Sequence, residues 1–413
     1  MAVTAGVLVA RPSMQSRERV FTYYTDVLPI LQEKCQSCHR TANTAQSTAP
    51  MAFDSYEHTR PWASAIARKV RNGEMPPWFG AEPIGVFENE RRLTSDERDA
   101  ILSWVTAGAP AGDPSSGPPP RSVTGVANGD WSLGQPDLVV SMPKPFFIED
   151  DAYDIGVTFY SRLDKADWPA DGFIRGWELR AGKEGQVVHH MCVGILSPDE
   201  PVRPDSATDE RGQLGCIAHC AEPQMLPEGF GRLLKPGSTV RFNMHYHKEA
   251  GPGTAVWAQS EIGFFRTNTP IRHSVTTDAI GNFGFEIPPD QDRYRVGAGR
   301  LLESDTWLLA LWPHAHLRAT AARYRATFPD GRQEVLLDVP HYDQDWQLTY
   351  NYRIPRFLPK NTLLDVSFWY DNTAARGARK GFAADETVVN GPRTNDEMAL
   401  GFTSYSEAAT GCQ

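Results

Sequence analysis

The feature that most constrains the fold is a change of pattern near residue 130. After this point the sequence consists of short apolar or alternating runs, separated by turns rich in Gly, Pro and Asp. Such runs predict β-strands, and many of them without a long helical pattern predict β-sandwiches. About 285 residues is large for one sandwich, so we expect two, divided near residues 268–271. The clearest runs lie at 137–142, 239–247, 256–265, 307–316, 322–328 and 363–369.

The region from about residue 22 to 112 has helical periodicity instead. Residues 27–35 form an apolar-periodic run, and residues 61–72 predict a second helix that ends at Gly73. Thr94 with Glu97 three positions later is a capping-box pattern, which predicts the start of a third helix.

The charge and hydropathy of the chain restrict its partners. There are 51 acidic and 41 basic residues, which gives a formal net charge of −10, and no Lys/Arg run is present. Nucleic acid is therefore not expected as a partner, because binding to its backbone needs clustered cations. No stretch approaches about 18 apolar residues, so we expect no membrane span. A short apolar run at residues 2–10 is compatible with a trimmed export signal or with a frayed terminus.

A short motif in the helical region predicts a haem. Cys35-Gln36-Ser37-Cys38-His39 is a Cys-x-x-Cys-His sequence, in which two thioethers attach a haem and the adjacent histidine ligates the iron. A redox Cys-x-x-Cys site would need a βαβ setting, which this region lacks. A zinc site would need a second pair of ligands nearby, and His58 alone is insufficient.

A loop after the second predicted helix offers the other axial ligand. Met75 lies in Gly73-Glu74-Met75-Pro76-Pro77-Trp78, where the prolines stiffen the backbone around the thioether. Met51 and His58 are the alternatives. The helical region resembles a single-haem cytochrome c domain, including the Ala-Gly-Ala-Pro sequence at residues 107–110.

Two histidine pairs in the strand region predict metal binding. His314 and His316 are separated by one residue, so on a strand their side chains share a face and can bind one ion. His189 and His190 are adjacent and point to opposite faces of an ideal strand. Joint ligation by His189 and His190 therefore requires a bend or a bulge.

Each pair needs a further ligand. His245 and His247 share one face of the predicted strand 239–247, so periodicity alone does not separate them. Met398 offers a thioether. A set of two histidines and one methionine favours copper, whereas three histidines suit copper or zinc.

With these residues assembled, residues 131–405 resemble the copper type II, ascorbate-dependent monooxygenases. This family comprises the peptidylglycine α-hydroxylating and dopamine β-hydroxylating enzymes and their bacterial relatives. The motifs occur in the family's order and cover about two thirds of the chain. They are His189-His190-Met191, Pro227-Glu228-Gly229, Met244-His245-Tyr246, His314-Ala315-His316, Asp371-Asn372-Thr373 and Asp396-Glu397-Met398.

The resemblance implies two jelly-roll-like all-β sandwiches that each hold one copper ion and face each other across a cleft. The first ion takes His189, His190 and His245, in preference to His247, and passes electrons. The second takes His314, His316 and Met398 and binds O₂, and the product is a hydroxylated C–H bond of a small molecule or peptide. The implied external electron donor is ascorbate or a redox protein.

The predicted domains are a cytochrome c-like haem domain at 20–111, a Pro/Gly/Ser-rich linker at 112–129 and copper domains at 130–269 and 270–413. A low-spin haem carries one electron, so we expect it to replace or supplement ascorbate.

The alternative to a monooxygenase is a non-catalytic copper-binding or electron-transfer protein on the same scaffold. The presence of all six candidate copper ligands favours the enzyme.

The chain departs from the family at two positions. Peptidylglycine enzymes carry an Arg two residues before the His-x-His motif, where this chain has Trp312, and a polar amide two residues after the Met, where it has Leu400. Without the guanidinium group a bidentate carboxylate clamp is lost, which argues against a glycine-extended peptide. Trp312 and Leu400 suggest an apolar surface near the second copper. Plain core packing is the alternative for Trp312.

The remaining cysteines suit an exported protein. Besides the haem motif the chain has Cys192, Cys216, Cys220 and Cys412, and an even number is ordinary in an oxidising compartment. A disulfide from Cys192 to Cys216 or Cys220 would fix the strands of the first copper site. The alternative is a Cys-x-x-x-Cys thiol site with His219 as a transient copper ligand. Because the even number of cysteines suits disulfides and an oxidising compartment, we expect a periplasmic or secreted protein.

Overall fold

The structure is a computed structural model that describes residues 19–39, 49, 51–83, 85–119, 131–182, 185–203, 209, 211–217, 223–391 and 393–408. The apolar run at 2–10, most of the predicted linker, His219, Cys220 and Cys412 lie outside the described residues. No helix in the described part of the chain is both long and apolar enough to cross a membrane.

The N-terminal region is helical, as predicted. A π-helical turn at Tyr23–Val27 leads into the first α-helix, and Gly73, with φ +71°, follows the third. The capping box of the fourth helix is confirmed, because Glu97 N–H donates to Thr94 Oγ1 at 3.3 Å and Thr94 N–H donates to Glu97 Oε2 at 2.7 Å. The helices are α1 Leu28–Lys34, α2 Tyr56–Thr59, α3 Ala63–Arg71 and α4 Ser95–Thr106.

The first half of the strand region forms two facing sheets. Its strands are β1 Leu138–Ser141, β2 Phe146–Ile148, β3 Asp154–Arg162, β4 Gly172–Arg180, β5 Val188–Leu196, β6 Gln213–Ile217, β7 Gln224–Met225, β8 Phe230–Leu234, β9 Thr239–His247, β10 Val256–Ala258, β11 Glu261–Arg266 and β12 His273–Ser274. One sheet has the order β1-β11-β4-β8-β12, with β7 paired to β4, and the other has the order β3-β9-β5-β6. Apolar side chains from both sheets form one buried core, so this half is a β-sandwich.

The second half repeats this arrangement. Its elements are β13 Thr276–Gly281, β14 Glu286–Ile287, β15 Tyr294–Leu301, β16 Thr306–His314, β17 Ala319–Thr327, β18 Gln333–Val339, β19 Tyr350–Leu358, β20 Leu363–Tyr370, α5 Ala374–Lys380, β21 Val388–Val389 and β22 Leu400–Glu407. Sheets with the orders β13-β22-β16-β19 and β15-β20-β17-β18 enclose a second core, which gives a second sandwich.

The change from one sandwich to the other comes slightly later than the division near 268–271. His273 and Ser274 still pair, in parallel, with Phe230 and Gly231 of the first sandwich. Thr276 then begins the strand that pairs with β22 of the second sandwich. The chain therefore changes sheets at Val275.

Part of the predicted haem domain belongs structurally to the second sandwich. Phe87 forms a β-bridge with Tyr352, and Trp78 and Phe87 are buried in the second core. Ala81 N–H donates to the carbonyl of Asp338 at 2.8 Å. Residues 78–89 therefore fix the helical region to this sandwich, whereas the helices themselves enclose a separate core.

Candidate metal centres

The first histidine cluster is built on two neighbouring strands. On β5, Val188 lies opposite Tyr246 and His190 lies opposite His245, so that the intervening His189 has no partner on β9. This is the bulge that joint use of His189 and His190 requires, and it turns both rings to one side. The ligand nitrogens of His189, His190 and His245 all lie within 4.8 Å of one another.

The hydrogen bonds of this cluster leave nitrogen lone pairs for a metal. His245 Nε2 donates a hydrogen bond to the carboxylate of Asp154, which leaves His245 Nδ1 as the ligand atom. The Nδ1 atoms of His189 and His190 are 3.3 Å apart. Burial lowers the pKa of His190 well below its usual value, and the neighbouring histidines lower it further. Neutral imidazole is the form that binds metals.

The structure separates the two candidates on β9. His247 is exposed, and its ring packs edge-on against Tyr153 with centroids 4.6 Å apart. The ring centroids of His247 and His189 are 6.1 Å apart, whereas those of His245 and His189 are 5.0 Å apart. The geometry therefore places His245 with the histidine pair.

The second cluster lies at the end of β16. The rings of His314 and His316 are 5.4 Å apart. The strand ends at His314 and does not reach residue 316, contrary to the predicted run, because His316 N–H donates to the carboxylate of Glu397 at 2.8 Å and not to a neighbouring strand. His316 is therefore oriented by a side chain and not by the sheet.

The two rings of this cluster are held in one tautomer. His314 Nδ1 lies 2.8 Å from Gln347 Oε1, and His316 Nδ1 lies 3.0 Å from the carbonyl of Asp396. Both Nδ1 atoms donate to these oxygens, which leaves both Nε2 lone pairs for a metal. Burial lowers the pKa of His314 to about 4 and that of His316 to about 3, so both rings are neutral at pH 7.

Met398 lines the same cleft as His314 and His316. His314 is opposite Leu400 in the antiparallel pairing of β16 with β22, so the residues before Leu400 run back alongside His316. Glu397, which is fully buried, accepts hydrogen bonds from the backbone N–H groups of His316 at 2.8 Å and Arg318 at 2.6 Å. Burial also raises its pKa to about 7.

Both clusters face one cleft between the sandwiches. The cleft has a volume of about 990 Å³ and is lined by His189, His190 and His245 from one side and by His314, His316 and Met398 from the other. Sequence reasoning found these six residues but not the supporting roles of Asp154, Gln347 and Glu397. Glu397 belongs to the Asp396-Glu397-Met398 motif, whereas no local sequence pattern indicates a role for Gln347.

Trp312 and Leu400, the two residues that differ from the resembled family, have different surroundings. Trp312 is 4% exposed, stacks on Phe402 with centroids 4.5 Å apart, and lines the cleft. It is therefore both core packing and an apolar part of the wall. Leu400 is 1% exposed and belongs to the same apolar cluster as Trp312 and Phe402, but it is not among the described residues that line the cleft.

A disulfide supports the first cluster. Cys192 on β5 and Cys216 on β6 are directly opposite each other and bonded, with Cα atoms 4.0 Å apart. This confirms one of the two expected pairings and rules out a free Cys216 thiol as half of a copper-handling pair. Cys192 also packs against Trp312 and Met398, so the disulfide lies between the two sandwiches.

The Cys-x-x-Cys-His motif opens onto a separate apolar pocket of about 360 Å³. Cys35, Cys38, His39 and Met75 all line it, and so does the alternative ligand Met51. His39 Nδ1 lies 3.1 Å from the carbonyl of Met51 and donates to it, which leaves Nε2 for a metal. His58 is exposed and contacts Asp54.

The two cysteines of this motif differ. Cys35 is a free, half-buried thiol whose pKa is raised to about 12 by desolvation, whereas Cys38 is disulfide-bonded. A sulfur atom cannot hold a disulfide and a thioether together. A covalent haem at this motif therefore requires Cys38 as a free thiol.

No family model matches this sequence, and no curated protein matches it. Among solved structures the chain is similar to the major capsid protein P2 of bacteriophage PM2, with 8% identity, a TM-score of 0.27, and 66% of this chain and 98% of that chain covered. It is also similar to peptide:N-glycanase F, with 10% identity, a TM-score of 0.29, and 67% and 97% covered. These scores are too low to say anything about chemistry.

Proposed function

We propose that this chain is a copper-dependent monooxygenase that hydroxylates a C–H bond of its substrate with O₂. The observation that carries the proposal is the single cleft into which two sets of ligand side chains project from two sandwiches. A structural role for these residues would not require six of them to face one open space. The order of the motifs, which resembles that of the copper type II monooxygenases, supports the same conclusion.

The donor sets fit copper. Two imidazoles with a thioether suit Cu(I), and imidazole accepts both oxidation states. When bound, the copper ions would supply electron transfer and O₂ activation. The chain itself orients the ligands, because Asp154, Gln347 and the Asp396 carbonyl each fix one imidazole.

The cleft favours a substrate with an apolar reacting end. Trp312 and Phe402 form an aromatic part of the wall beside the second cluster. Arg318 also lines the cleft, but its guanidinium donates to Asn372 Oδ1 at 2.9 Å and to the carbonyl of Asn395 at 2.8 Å. Because these donors are committed to the protein, Arg318 does not replace the carboxylate clamp that Trp312 removes.

We propose a c-type haem as the source of electrons. The apolar pocket, the oriented His39 and the thioether of Met75 on its wall support this assignment. Intact-mass analysis of protein from an oxidising compartment tests it. A haem attached through both Cys35 and Cys38 is expected, and a persistent disulfide at Cys38 would refute covalent attachment by two thioethers. The Cys192–Cys216 disulfide supports a periplasmic or secreted location.

Metal analysis combined with O₂ uptake tests the activity. We expect two coppers for each chain, and O₂ consumption with reductant that gives hydroxylated product from candidate substrates. Met398→Ala should abolish hydroxylation and leave the haem spectrum unchanged, while Met225→Ala, at an exposed methionine, should be active. Two bound coppers without O₂ consumption would favour the non-catalytic alternative, and full activity of Met398→Ala would refute the assigned O₂ site.

A further inference from the structure

One loop contacts both the haem pocket and the copper cleft. Residues 342–348, here called the bridging loop, lie in the segment that connects β18 to β19. Trp346 lines the pocket of the Cys-x-x-Cys-His motif, whose other described lining residues all come from the range 31–101. The next residue, Gln347, lines the cleft and accepts the hydrogen bond from His314 Nδ1 at 2.8 Å. Consecutive residues therefore face the two proposed cofactor sites.

The bridging loop is fixed to the second histidine cluster. The hydroxyl of Tyr342 accepts the N–H of Ala315 and donates to its carbonyl, both at 3.0 Å. Ala315 lies between His314 and His316, so the start of the loop is bonded to the ligand segment itself. Trp346 N–H donates to the carbonyl of Asp343 at 3.1 Å, which closes a turn before Gln347.

The helical region is anchored at both ends of this loop. Before the loop, Ala81 N–H donates to the carbonyl of Asp338 at 2.8 Å. After it, Asn89 Nδ2 donates to the carbonyl of Thr349 at 2.8 Å and Asn89 Oδ1 accepts the N–H of Asn351 at 3.1 Å. The position of Trp346 on the haem pocket is thus held by contacts on either side.

We propose that electrons pass from the haem through Trp346, Gln347 and His314 directly to the His314–His316–Met398 copper, so that the proposed O₂ site is the first acceptor. The path consists of covalent bonds and one hydrogen bond beyond the pocket wall, which transmits an electron better than a gap filled with solvent. The His189–His190–His245 cluster is supported instead by Asp154 of the first sandwich. This inference rests on the proposed function.

Each transfer balances as a one-electron step. The ferrous haem becomes ferric and a cupric ion becomes cuprous, while no bond forms or breaks. An external one-electron reductant then reduces the haem again. Two such events, the first of whose electrons passes on to the copper of the His189–His190–His245 cluster, leave one electron on each copper and so supply the two electrons that hydroxylation of one C–H bond with one O₂ consumes.

Rapid mixing without O₂ tests the path. The holoprotein with oxidised coppers is mixed with one equivalent of a one-electron reductant, and reoxidation of the haem is followed by its absorbance. Trp346→Leu should slow reoxidation by about tenfold or more, which corresponds to about 1.4 kcal/mol in the barrier. Trp346→Phe should retain much of the rate, and Trp257→Leu, at an exposed tryptophan of the first sandwich, should be unchanged. An unaltered rate in Trp346→Leu would overturn the path.

Removal of one site at a time identifies the first acceptor. His189→Ala should keep the fast phase of haem reoxidation, whereas His314→Ala should lose it. The reverse result would overturn the inference. Circular dichroism and the haem reduction potential of each variant show whether the fold or the driving force has changed; equal potentials in Trp346→Leu and the parent chain are expected.

These readouts do not depend on hydroxylation. Fast haem reoxidation that needs His314, in a protein that hydroxylates no tested substrate, would support the path and count against the proposed activity. A protein that hydroxylates its substrate while its haem remains reduced would support the activity and overturn the path.

Discussion

Replacement of Glu397 tests how the second cluster is held together. Its carboxylate is fully buried and accepts the backbone N–H groups of both His316 and Arg318. In Glu397→Ala both donors lose their acceptor, and each buried unsatisfied donor costs about 1–3 kcal/mol, so we expect a loss of about 2–6 kcal/mol of unfolding free energy. Glu397→Gln keeps one carbonyl oxygen and should lose about half of this amount.

Urea denaturation of the metal-free protein, followed by tryptophan fluorescence, measures these losses. Copper titration of the folded variants then shows whether the ligands remain aligned. We expect Glu397→Ala to weaken the second site and leave the first unchanged, because Glu397 accepts the N–H groups of His316 and Arg318, whereas His245 is bonded to Asp154. Stability within about 0.5 kcal/mol of the parent chain for both variants would refute the reasoning, since that is the ordinary effect of an inconsequential surface substitution.

Two other predictions concern the framework of the site. Cys192→Ser should lower the free energy of unfolding by about 3 kcal/mol, because the disulfide closes a loop with a sequence separation of 24. In this variant, unfolding of the first sandwich should no longer depend on added reductant. A variant as stable as the parent would show that this bond contributes little. Phe87→Ala should cost about 3–5 kcal/mol in denaturant unfolding of the second sandwich, since the ring is 1% exposed and lies 5.0 Å from Tyr352. Destabilisation confined to the helical region would contradict its assignment to the second core.

Local patterns predicted the elements that depend on neighbouring residues. The capping box at Thr94 was confirmed because its two hydrogen bonds join residues only three positions apart. The strand at Thr239–His247 was predicted with its observed bounds, since its alternation reflects which faces are buried. The bulge at His189 followed from the requirement that adjacent side chains share one side of a strand.

Contacts between distant segments were beyond such reasoning. His316 lies past the end of its strand because Glu397, far along the chain, accepts its N–H. Gln347 supports His314 without any local motif, and residues 78–89 join the second core although they lie between the third and fourth helices in the sequence.

The sequence by itself determined which side chains could bind metals and the strands and helices that carry them, because residue chemistry and periodicity are local properties. Only the tertiary structure brought both histidine sets to one cleft and placed Trp346 and Gln347 between this cleft and the pocket of the Cys-x-x-Cys-His motif. Those arrangements depend on how two sandwiches and a helical region pack together. Packing of this kind is set by the complementarity of whole surfaces, which no short stretch of sequence encodes.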